Sequence, residues 1–330
     1  MSTPETTKLF EFSSRPMLSR DADSMYWIAR YIERAEHVAR ILLVNSNLLM
    51  DVGDLAPALQ QRQWRSILEI MRLDELPPSR EPLARRIQHY MTFNTENPSS
   101  LINCLSRARE NARAIRESIS AEMWECLNTL YWSIQADDAR QRFEDASEEF
   151  YRSIMTGSMV FQGMTDQTLT HDQRWNFAQL AKYLERTDIT ARIIETKFGI
   201  LKSAELEVAI RNIHWMAVLR SCCSIEAFRR NYVGDMDPLR VASFLILQRS
   251  FPRSIRYCVE QAHAAISSIR SVSNLKGVDP AERILGRLSA QLEYAEINEI
   301  ISTGVSAYLQ QIQSSIAEAA VAVQKSYFLY

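Results

Sequence analysis

"WIARYIERAEHVARIL" (residues 27–42) and "QLAKYLERTDITARII" (residues 179–194) read as one helical segment written twice in a single chain. Seven of the sixteen positions are identical, Glu-Arg stands at the centre of each, and Ile28/Leu180, Arg30/Lys182, Ile32/Leu184 and Glu36/Asp188 are conservative exchanges. At ~100° per residue, Ile28, Ile32, Ala35, Ala39, Leu43 and Ser46 fall on one side of a helix. That helix is predicted over about 20–50, with Ser19 or Asp21 as its N-cap and "VGD" at 52–54 as its end.

Outward from this pair the repetition continues. Glu33 and Glu185 are offset by 152, Trp64 and Trp215 by 151, and "PSSLINCL" from Pro98 and "PRSIRYCV" from Pro252 by 154. Three ordered anchors predict two tandem repeats of about 150 residues, about 17–165 and 166–330, behind a mobile tail at 1–16. Apolar spacing predicts further helices at 59–72, 82–93, 99–119, 121–135, 137–163, 203–231, 238–249, 252–271 and 280–328, the last as one helix or as two broken at Gly304. The connector "GMTDQTLTHDQRW" from Gly163 caps the second Glu-Arg helix, predicted over 173–198, with Thr170 and Asp172 echoing Ser19 and Asp21. Two repeats are too few for a solenoid. The expected fold is therefore a single all-α domain, a multi-helix bundle whose halves face each other about a pseudo-twofold axis with the duplicated helices at its centre.

Composition narrows the function more than it names it. A formal net charge of −2 over 330 residues lacks the basic excess of a nucleic-acid binder. Only six of the 38 basic residues are lysine (Lys8, Lys182, Lys197, Lys202, Lys276, Lys325); the rest are arginine, which pairs carboxylates bidentately. Five cysteines (Cys104, Cys126, Cys222, Cys223, Cys258) show no metal-type spacing, and without a signal peptide they point to a reducing cytoplasm. Runs such as "VASFLIL" from Val241 are too short for a membrane span. No Walker-type loop, G-x-G-x-x-G or G-x-S-x-G is present, and no cofactor is expected.

The charged residues of the duplicated helices are the first candidate site. Glu36 and Arg40 are spaced i, i+4 in the favourable orientation, and Asp188 and Arg192 reproduce the pair. Helical geometry puts Glu36 within the apolar face, with Glu33 and Arg40 just outside it. If the two helices meet, Glu33, Arg34, Glu36, Arg40, Glu185, Arg186, Asp188 and Arg192 form one cluster, with Tyr31 and Tyr183 beside it. Such a cluster is either a buried ionic scaffold, a pocket clamping an amino acid or peptide end, or an acid-base site with Glu33 and Glu185 as catalytic candidates.

A di-metal bundle asks for two Glu-x-x-His motifs. Only Glu260/His263 qualifies, since His37 becomes Ile189 in the repeat and His263 aligns with Arg109, so no metal is expected. A second candidate surface is "RARENARAIRESISAEMWECLN". It places Arg109, Arg113 and Arg116 on one helix side, followed by Glu122 and Trp124, as a solvated face or a docking surface.

"MLSRDADSMYWIARYIERAEHVAR", "ARENARAIRESISAEMWECLN" and "AKYLERTDITARII" together resemble the bacterial alpha-E family, over about Met17 to Phe328. The resemblance carries over Glu33 and Arg34 in the first motif and Glu185 and Arg186 in the second. It implies company with a circularly permuted ATP-grasp ligase and a transglutaminase-like peptidase, in a setting of peptide amide chemistry. Two expectations follow: an accessory or substrate-binding partner of the ligase, or an enzyme acting through the Glu-Arg cluster.

Overall fold

The computed structural model describes residues 19–52, 57–202, 208–232, 234, 236–273 and 277–328. The tail expected at 1–16, Gly53 and Asp54 of the expected helix end, and the 203–207 start of an expected helix lie outside these. Among the described residues the chain is helical throughout, with no strand. The helices of the first half are α1 (Ser19–Val52), α2 (Pro57–Met71), α3 (Leu83–Phe93), α4 (Leu101–Ala114), α5 (Ala121–Gln135), α6 (Ala139–Asp145) and α7 (Ser147–Thr168). Those of the second are α8 (Gln173–Lys202), α9 (Val208–Ser221), α10 (Ile225–Asn231), α11 (Pro238–Leu247), α12 (Ile255–Val272), α13 (Pro280–Glu293), α14 (Ile297–Thr303) and α15 (Val305–Tyr327).

Helix starts follow the capping chemistry of the sequence. Ser100 and Ser254, paired in the repeat, cap α4 and α12 by accepting from the Asn103 and Tyr257 N–H groups. Asp237-Pro238 and Asp279-Pro280 start α11 and α13 with an Asx cap and a proline at the first turn. Asp172 accepts from Arg174 N at 2.8 Å at the start of α8. Asp21 acts differently: it lies within the first turn of α1 and accepts from Ser118 Oγ at 3.0 Å.

The ends of α2 and α9 match residue for residue. Arg72 and Cys223 each take φ 53°, and the amides of Leu73 and Ser224 close back onto the carbonyls of Leu68 and Leu219 at 2.9 and 2.8 Å. This turn corrects two expectations: Cys222 and Cys223 leave the helix, and the predicted 203–231 helix is divided into α9 and α10. The 99–119 run likewise ends at Ala114 and finishes as a 3-10 turn at Arg116–Ser118. The helix predicted over 137–163 is broken at Ala146 (φ −150°, ψ 64°), and its second part runs on to Thr168. The 280–328 run is three helices, parted at 294–296 and at Gly304, whose φ of 95° a glycine takes without strain.

Packing places α1 and α8 at the centre. Helix α1 lies on α4, α7, α8 and α9, and α8 lies on α12, α15, α1 and α2. One apolar core extends from Ala22 to Phe328 through both halves. Because each central helix is covered on several sides, Glu33, Glu36 and His37 are completely buried. Glu33 and Arg40, expected at the edge of the apolar face, are inside it.

Candidate functional site

Placing ionised groups inside a bundle costs several kcal/mol each (on the order of 5) unless they are paired and hydrogen-bonded. The duplicated helices meet this by exchanging partners. Arg34 on α1 forks onto Glu185 on α8, Nε to Oε1 at 2.6 Å and Nη2 to Oε2 at 3.0 Å. Arg186 on α8 forks back onto Glu33 on α1, at 2.6 and 2.9 Å. Each Glu-Arg dipeptide thus holds the other one.

Around this exchange the remaining acceptors are filled. Glu33 also meets His37 Nε2 at 3.1 Å and accepts from Gln162 Nε2 at 2.7 Å. Arg186 donates further to the Pro252 carbonyl at 3.1 Å. Glu185 has Arg30 Nε at 2.6 Å, out of line for a hydrogen bond. Glu36 takes Arg40 Nε at 2.8 Å and Arg253 Nη1 at 3.1 Å. Asp188 pairs with Arg192, whose Nη1 reaches the Ile70 carbonyl at 3.2 Å. All eight charged residues read from the sequence are engaged here, as two reciprocal forks and two intrahelical pairs, with Arg253 reaching both Glu33 at 3.8 Å and Glu36 at 3.1 Å.

The protonation of these groups follows from the pairing. Burial works against ionisation of Glu185, but Arg30 and Arg34 outweigh it and hold the carboxyl at about 2. Glu36 is likewise held at about 2, where burial is opposed by Arg253, His37 and Arg40. Glu33, buried yet facing Arg186, lies well below the usual carboxylate range. Asp188 departs from the set: burial pushes it up despite Arg192, and Arg192 is itself lowered by burial. None of the three glutamates retains a proton to donate at neutral pH.

Glu33, Glu36 and His37 offer ligand atoms within 4.8 Å of one another. Arg186, Arg40 and Arg253 already occupy the carboxylates, and three guanidiniums around two carboxylates oppose a cation. Glu260, of the Glu-x-x-His pair, is turned onto Arg256 at 3.0 Å.

The tyrosines flank the exchange. Tyr31 stacks on Trp27 at 5.5 Å, and Tyr183 meets Tyr257 edge-on at 6.0 Å with Lys182 Nζ 4.5 Å from its ring centre. Besides Gln162, Arg253 is a participant the sequence reading missed. It stands where the repeat has Ser99, as His37 stands where the repeat has Ile189. These two departures from the duplication meet, with Arg253 Nη1 3.4 Å from His37 Nε2, and that mismatch was the available signal.

The expected docking face divides. Arg109 is clasped by Asn128 at 2.7 Å and lies 4.5 Å from the Tyr131 ring centre and 5.6 Å from that of Trp124, joining α4 to α5. Arg113 pairs with Glu110, and Arg116 lies over Trp124 at 5.6 Å. Glu122 is exposed, as is Trp132 farther along α5. Arg109 is therefore a packing residue, and Arg113, Arg116 and Glu122 remain at the surface.

An open concavity lies beside the sealed charges. A groove of about 430 Å³ runs between α7, α8 and α12, with Gln162, Lys182 and Tyr183 in its wall. Gln162 links it to the interior, since the same amide donates to Glu33 and accepts from Arg186 Nη2 at 3.3 Å.

Residues 17–328 match the family model described as Alpha-E, a predicted alpha-helical domain with a conserved ER motif. Similar curated proteins include an uncharacterized protein of Mycobacterium bovis and one of Mycobacterium tuberculosis, each 22% identical over 320 residues, covering 90% of this chain and 35% of the relative. A second Mycobacterium tuberculosis protein, also uncharacterized, is 21% identical with the same coverage. The chain spans about a third of the length of these relatives. No solved structure matches. Among the described residues no helix is long and apolar enough to cross a membrane.

Proposed function

The chain belongs to the Alpha-E family, and from that premise we propose that it is a non-catalytic, peptide-presenting partner of an ATP-grasp amide ligase, built around a Glu-Arg lock. The observation that carries this reading is the closure of the duplicated motif. Glu33 and Glu185 are buried, forked by arginines and held ionised, so neither is poised to donate a proton, nor is either open to a substrate. The alternative, an enzyme using that cluster, needs a solvent-connected carboxylate of raised pKa, and the only raised carboxylate of the set, Asp188, is itself buried against Arg192.

Matching partners support the duplication and the pseudo-twofold relation: α1 with α4, α7 and α9, and α8 with α12, α15 and α2. In the mycobacterial relatives the matched unit is about a third of the chain, which suits a helical module working joined to another activity. Five free cysteines suit a reducing cytoplasm. A transglutaminase-like protein is the second partner in this reading, and nucleic acid is not one.

The test is co-purification with an ATP-grasp ligase of the same genome, followed by ATP consumption on candidate peptides. A stable complex is expected, in which the chain raises the ligase rate and shows no turnover by itself. Turnover by the chain alone, or no association, would overturn the reading.

A further inference from the structure

The groove beside the lock contains groups that the fold leaves unused. Its lining holds two charged residues, Lys182 and Asp166. Lys182 has its ammonium over the Tyr183 ring at 4.5 Å, and among the described residues no carboxylate pairs with it. Burial lowers it to about 8, with Arg186 acting in the same direction, so the amine is still mostly charged at neutral pH. Asp166 is partly satisfied, accepting from Trp175 Nε1 at 3.2 Å. The side-chain amides of Gln179 and Gln261 line the same groove and have no partner among the described residues.

An unpaired, largely buried ammonium with free amides beside it is costly to keep unless something completes it. The volume lies within the range of small-ligand sites, roughly 300–1,000 Å³. One positive and one negative group exclude a polyphosphate, which needs several cations, and favour a ligand with a single carboxylate. Free amides match peptide groups, and the Trp175 and Tyr183 rings give apolar walls for side chains. Behind the groove, Gln162, Gln179 and Lys182 also line a void of about 20 Å³ toward α1, enough for one water.

We propose that this groove binds the carboxylate of a short peptide segment, Lys182 taking the carboxylate and Gln179 and Gln261 the flanking peptide groups. Through Gln162 the ligand is one residue from Glu33 and Arg186, so occupancy is felt at the α1–α8 lock. The assignment rests on the partner reading above for its purpose and on the groove alone for its chemistry, so it is tested without the ligase.

The test is calorimetric titration of the full chain with three tripeptides: Ala-Ala-Ala as the free acid, its C-terminal amide, and N-acetylated Ala-Glu-Ala amide. Binding of the free acid alone assigns a terminal carboxylate; binding of the free acid and the glutamate peptide assigns either source. In both cases Lys182→Met weakens binding by roughly tenfold or more, the scale of a lost charged hydrogen bond. Gln261→Ala, on the groove wall away from the lock, weakens it several-fold and decides the matter if Lys182→Met does not fold. Absence of binding by all three peptides, equal binding of the plain amide, or full affinity in both variants would overturn the proposal. A ligase that fails to associate would leave this result untouched.

Discussion

At the scale of the residue, buried charge is handled in two ways. Glu33 has Arg186 forked onto it, while Lys197 on α8, also buried, has only neutral hydrogen-bond partners. Its Nζ donates to Ser66 Oγ at 2.8 Å, to Gln63 Oε1 and to Asn45 Oδ1 at 3.5 Å. Burial therefore lowers Lys197 to about 7, against ~10.4 in an unfolded chain. Between those values the unfolded chain binds the extra proton, so stability rises with pH through that window, and below about 7 the full cost is present. Unfolding of Lys197→Met measured across the same window should lack this rise relative to wild type; an identical pH dependence in the two proteins would contradict it. Lys197 and Arg253 stand where the repeat partner is neutral, Asn45 and Ser99, so the duplication marks them only as mismatches and not as a motif. The Glu-Arg residues were legible because the duplication printed them twice.

At the scale of the element, the sequence carried the helices well and their breaks poorly. Apolar periodicity runs on through Ala146 and through 294–296, since both sides of each break bury the same face. Gly304 was readable as a possible break, and its φ of 95° bears that out. Close crossings were unreadable. Gly157 on α7 faces Leu130 on α5, where an added Cβ would lie 2.4 Å from Cδ2. Gly157→Val is expected to destabilise the protein by ~1–3 kcal/mol through overpacking. Gly199 on α8 has nothing within 4 Å of such a Cβ, and Gly199→Ala is expected to be neutral or to stabilise by up to ~1 kcal/mol. Thermal unfolding of the pair measures both, and equal effects would contradict the assigned crossing.

At the scale of the whole molecule, each half supplies the counter-ions of the other. If the second half unfolds, Glu33 loses Arg186 and Arg34 loses Glu185 in one event. The chain is therefore expected to unfold once, with tryptophan fluorescence and far-ultraviolet dichroism changing together in urea. Two separated transitions would mean independent halves. The pairing of α1 with α8 was legible from the duplicated "YIER" and "YLER"; the groove was not, because it is made by α7, α8 and α12, which share no sequence motif.

Whether the duplicated Glu-Arg is a lock is tested most directly by a double-mutant cycle on Arg34 and Glu185. Arg34→Met leaves Glu185 short of a guanidinium, and Glu185→Gln leaves Arg34 and Arg30 without their carboxylate. Each single change should cost ~3–5 kcal/mol in denaturant unfolding. The double variant should lose less than the sum, by a coupling of ~0.5–3 kcal/mol, and on the partner proposal above it should, once folded, still bind and stimulate the proposed ligase. Additive losses with a folded double variant that binds the ligase and fails to stimulate it would make the pair chemistry rather than scaffold.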